Sequence, residues 1–78
     1  MAKLPVVSGW QAVRAFERAG FEVRRREGSH IIMGKSGHAA TLSVPDHREL
    51  KPGTLWALLR KGGLSVEQFV EMLGRSGS

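Results

Sequence analysis

Phe21-Glu22-Val23-Arg24-Arg25-Arg26-Glu27-Gly28-Ser29-His30-Ile31-Ile32-Met33 contains two strands and the turn between them. In its first half Phe21, Val23 and Arg25 interleave with Glu22, Arg24 and Arg26, the period of two expected when successive side chains point to opposite faces of a sheet. Glu27-Gly28-Ser29 supplies turn chemistry, after which His30-Ile31-Ile32-Met33 resumes as a second strand. If Val23, Ile31 and Met33 all face a core, the loop needs an odd number of residues, because a pairing shifted by one turns every side chain over. A three-residue loop, Glu27 to Ser29, meets that condition and predicts that Arg26 pairs with His30 on the outer face.

Downstream, Lys35-Ser36-Gly37-His38 reads as a second turn. Ala39 to Val44 follows as a third strand, with Ala40, Leu42 and Val44 on the inner face and Ser43 opposite His30 on the outer one. Upstream, Ser8 and Gln11 have the spacing of a capping box, so a helix starts there and runs through Ala12, Val13, Phe16 and Ala19. Gly20 is suited to a left-handed helix end, with Phe21 folding back onto Phe16. After the polar loop 46–51, Pro52 begins a second helix with a Leu55, Leu58, Leu59 stripe, ending near Gly62-Gly63. Ser65 and Gln68 repeat the capping box before a last helix carrying Val66, Phe69, Val70 and Leu73, and residues 74–78 are expected to fray. The order αβββα(α) predicts an α+β two-layer sandwich: a three-stranded antiparallel sheet with helices on one face and the other face open. Arg24, Arg26, His30, Ile32, Thr41 and Ser43 would occupy the open face.

At 78 residues the chain has room for one domain, 1–78, with an ordered core of about residues 4–73. Twelve Lys and Arg against seven Asp and Glu leave a net charge of +5, which points to a polyanionic partner. With no cysteine and three scattered histidines, disulfides and thiolate metal sites are excluded and no metal or other cofactor is expected. No apolar run approaches the roughly 18 residues of a membrane span, and Met1 to Pro5 does not resemble an export signal, so a cytoplasmic location is expected.

RNA carries its own nucleophile, the 2′-hydroxyl, so its cleavage needs a base, cations for the phosphate and an acid for the leaving oxygen. An imidazole titrates near neutral pH and suits proton transfer. His30 is the candidate because the turn places it beside arginines; His38 in a turn and His47 in a loop are read as solvated side chains. Arg24, Arg26, Ser29 and Lys35 are the candidate RNA-binding residues. Trp10 and Trp56, on helices, are read as closing the core edge.

Arg24-Arg25-Arg26-Glu27-Gly28-Ser29-His30, then Glu49-Leu50-Lys51-Pro52-Gly53-Thr54-Leu55, then Leu58-Leu59-Arg60 before Gly63-Leu64-Ser65 together resemble the HicA toxin family over nearly the whole chain. The chain departs from many relatives in having Ile31-Ile32 where they carry another histidine or an aromatic residue, and in lacking tyrosine. The resemblance implies a fold like that of double-stranded-RNA-binding domains and the toxin of a type II toxin–antitoxin system. It also implies a metal-independent mRNA interferase whose catalytic histidine is His30, neutralised by a HicB-type antitoxin. Two other readings are a non-catalytic RNA-binding module and a protein-interaction domain that receives a partner on its open face or edge strand.

Overall fold

The computed structural model describes residues 3–76. It contains α1 (Gly9–Arg18), β1 (Glu22–Glu27), β2 (His30–Lys35), β3 (His38–Pro45), α2 (Pro52–Gly62) and α3 (Val66–Ser76). The strands form one antiparallel sheet in the order β1-β2-β3, giving the α+β meander expected from the sequence.

The helix ends follow their local signals. Gln11 N donates to Ser8 Oγ at 3.1 Å while Ser8 N donates to Gln11 Oε1 at 2.8 Å, so two otherwise orphaned donors are satisfied at the start of α1. At its other end Gly20 has φ +101°. Phe21 N donates to Phe16 O at 3.0 Å there, and the two rings meet edge to face at 6.0 Å. Pro52 opens α2, and Gly63, left-handed at φ +70°, closes it. Ser65 and Gln68 form the second capping box. The last helix continues through Gly74 to Ser76, and Gly77 and Ser78, also in the stretch expected to fray, lie outside the described residues.

Helices α1 and α3 pack on one another, α1 also reaches β1 and β3, and α2 covers β3. Ile31, Met33, Leu42 and Val44 from the sheet join Phe16, Leu55, Leu59 and Phe69 from the helices in one buried cluster. Burying each such side chain contributes roughly 1.5–3 kcal/mol. The face that carries Ile31 and Met33 is therefore the helix side, and the opposite face is open.

The hairpin register differs from the expectation. Glu27 pairs with His30, Arg26 with Ile31 and Arg25 with Ile32, so the loop is the two-residue Gly28-Ser29 and not three residues. Gly28 has φ +58° while Ser29 does not have positive φ, the pattern of a type II′ turn with glycine first. A bulge between Val23 and Arg25 supplies the odd residue and sets Val23 opposite Met33, but Val23, expected in the core, is 42% exposed at the edge strand. Two placements expected from the alternation are thereby corrected: Arg26 shares the helix-side face with Ile31, and Arg25 moves to the open face. His30 lies opposite Pro45, and Ser43 opposite Ile32.

Candidate functional site

Cross-strand pairing orders the open face into rows. Glu22 stands beside Gly34; Arg25, Ile32 and Ser43 form the next row; Glu27, His30 and Pro45 form the row at the turn end. Arg24, in the bulge, lies over Gly34, its Nε 2.8 Å from where a Cβ on that glycine would sit. His30 is exposed at the start of the central strand. Among the described residues its side chain has no hydrogen-bond or ion-pair partner.

The arginines of this face are ion-paired. Arg24 Nη1 is 2.9 Å from Glu22 Oε1, and Arg25 Nε is paired with the Glu27 carboxylate. Both pairs are solvent-exposed, and exposed pairs are worth only about 0–1 kcal/mol, so either guanidinium can exchange its carboxylate for a phosphate. Arg26 serves the turn instead. Its Nε donates to Gly28 O at 3.0 Å and its Nη2 to Asp46 Oδ2 at 2.9 Å. Asp46 N in turn donates to Ser29 O at 2.7 Å, joining the hairpin turn to the end of β3.

The remaining candidates are dispersed. Ser29 is exposed in the turn beside His30. Lys35 sits at the far end of β2, about 16 Å from His30 by strand rise; its Nζ donates to Ala19 O at 3.0 Å and lies 5.4 Å from the Phe21 ring centre. His38 packs edge-on against Phe21 at 5.3 Å with Nε2 2.7 Å from Lys61 O, so it links β3 to the end of α2. His47 is exposed, and its carbonyl accepts from Gly9 N at 2.9 Å. Trp10 and Trp56 are nearly half exposed on α1 and α2. The start of α1 abuts the His30 row: a Cβ on Gly9 would come within 2.0 Å of Pro45 O, so only glycine allows that approach. With no acidic residue in its first turn, α1 leaves its partial positive charge at that end of the sheet.

Residues 9–64 match the HicA toxin of bacterial toxin–antitoxin systems. The chain belongs to the HicA toxin family. Among curated proteins, none matches it. As a HicA protein it is the toxin member of such a system. Among the described residues no group of three His, Asp or Glu side chains could hold a metal ion, and no helix is long and apolar enough to cross a membrane.

Sequence reasoning misses three parts of this HicA surface. Simple alternation puts Arg25 on the inner face, Glu27 in the loop, and Asp46 in an unremarkable polar segment. Gly-Ser flanked by strand residues is itself a two-residue hairpin signal, and reading it that way brings Glu27 and Arg25 onto the face of His30. Asp46 carries no such signal, because its partner is 20 residues away.

Proposed function

We propose that this HicA toxin is an endoribonuclease that cleaves mRNA in the cytoplasm without a metal ion, with His30 as its catalytic base. The observation that carries the reading is the placement of His30: an exposed imidazole, free of intramolecular partners among the described residues, at the end of the central strand on the face shared with Arg24 and Arg25. His30 takes the proton of a ribose 2′-hydroxyl, whose oxygen attacks the adjacent phosphorus. Arg24 and Arg25 release Glu22 and Glu27 to hold the non-bridging oxygens as charge builds there. The P–O5′ bond breaks as the 5′-oxygen takes up a proton, leaving a 2′,3′-cyclic phosphate and a 5′-hydroxyl. Arg26, through Asp46 and Gly28, holds the turn that presents His30, and Ser29 offers a hydroxyl to the backbone beside it.

The partner in this reading is a HicB-type antitoxin with an acidic surface. Covering the face of Arg24, Arg25 and His30, it excludes RNA and takes over the arginine contacts. The test is cleavage of an oligoribonucleotide by wild type and His30→Ala, each with and without EDTA. Cleavage by wild type in EDTA and a fall of about 10²–10⁴-fold in the variant are expected. Equal cleavage by both proteins overturns the role of His30, and loss of activity in EDTA restored by a divalent ion overturns the metal-free reaction. RNA binding without cleavage by the wild type would mark a non-catalytic RNA-binding module.

A further inference from the structure

The cleavage step needs an acid for the departing 5′-oxygen, and a second histidine follows the strand end that pairs with the first. His30 pairs with Pro45, and the same register runs one residue past the end of β3, because Asp46 N donates to Ser29 O at 2.7 Å. Asp46 turns toward the helix side, where Arg26 holds it. Alternation continued from that pairing past the end of β3 assigns His47, the next residue, to the side of Pro45 and His30. It is a diagonal neighbour of His30, at about 7–8 Å by sheet geometry. Its side chain is exposed, and its carbonyl is anchored by Gly9 N at the start of α1. His38 is placed differently, bonded to Lys61 O and edge-on to Phe21 by the far end of β2.

We propose that His47 is the general acid of the reaction that His30 begins. This rests on His30 being the base. His30 accepts the 2′-hydroxyl proton as the 2′-O–P bond forms. Protonated His47 gives its proton to the 5′-oxygen as the P–O5′ bond breaks, so the proton lost at one end is matched by one delivered at the other. The products are a 2′,3′-cyclic phosphate and a 5′-hydroxyl, and no oxidant, reductant or further reactant is consumed.

The test uses an oligodeoxynucleotide carrying a single ribonucleotide at a site cut by the wild type, and the same substrate with sulfur in place of the bridging 5′-oxygen. A thiolate leaves without protonation, so the loss of an acid is repaired by the sulfur substrate whereas the loss of a base is not. His47→Ala and His47→Gln are expected to cleave the oxygen substrate about 10²–10⁴-fold more slowly than wild type, and to approach the wild-type rate on the sulfur substrate. His30→Ala stays slow on both. Wild-type rates in the His47 variants on the oxygen substrate, or the same deficit on both substrates, would overturn the assignment of His47. Wild-type cleavage by His30→Ala overturns the underlying reading instead. Matching circular dichroism spectra for all variants are expected, since the bond that anchors His47 comes from its main chain.

Discussion

Arg26 and Asp46, 20 residues apart, form an ion pair of 2.9 Å that fastens the β1–β2 turn to the end of β3. Both side chains are at least partly exposed, so the pair is expected to couple by about 0.2–1 kcal/mol. A double-mutant cycle with Arg26→Ala and Asp46→Ala, followed by urea unfolding, measures it. A coupling of several kcal/mol would mean that the pair is desolvated, contrary to its position.

Gly28 occupies the left-handed region at φ +58°. Placing a Cβ there costs roughly 1–3 kcal/mol, so Gly28→Ala should lower the unfolding free energy by about that amount. Thermal unfolding compares it with wild type. A Gly28→Ala protein as stable as wild type would mean that the turn changes type at no cost.

Arg24 and Arg25 are the cations on the face of His30, so Arg24→Glu with Arg25→Glu should weaken both RNA and antitoxin binding. The slope of log K against log salt for single-stranded RNA should become shallower by about 0.7 for each phosphate that is no longer neutralised. Arg14→Glu, on exposed α1, should leave the antitoxin affinity unchanged. Titrations at several salt concentrations decide this, and antitoxin affinity unchanged in the double variant would place its footprint elsewhere.

Phe16 is fully buried, edge-on to Phe21 and 5.4 Å from Phe69. Phe16→Ala is expected to cost about 3–5 kcal/mol, a large part of the stability of a domain this small. Denaturant unfolding at equilibrium checks it, and a loss below about 1 kcal/mol would mean that the core closes over the gap.

Capping boxes at Ser8 and Ser65, Gly20 and Gly63 at helix ends, Pro52 at a helix start and the two strands flanking the Gly28-Ser29 turn were all legible in the sequence. Each depends on residues within about five positions of one another, and the hydrogen bond or backbone angle involved is the same in whatever fold surrounds it. These signals determined the element order, the α+β class and the exposure of His30 at the start of a strand. The register was decided by the folded chain: a two-residue turn and the pairing of Val23 with Met33 conflict by one residue, and a bulge at Arg24 reconciles them. Two further features arise only when distant segments meet. Arg26 goes to the helix side with Asp46, and Lys35 is drawn to the Ala19 carbonyl. Local rules cannot specify such neighbours, since each depends on how segments distant in the chain are seated against one another.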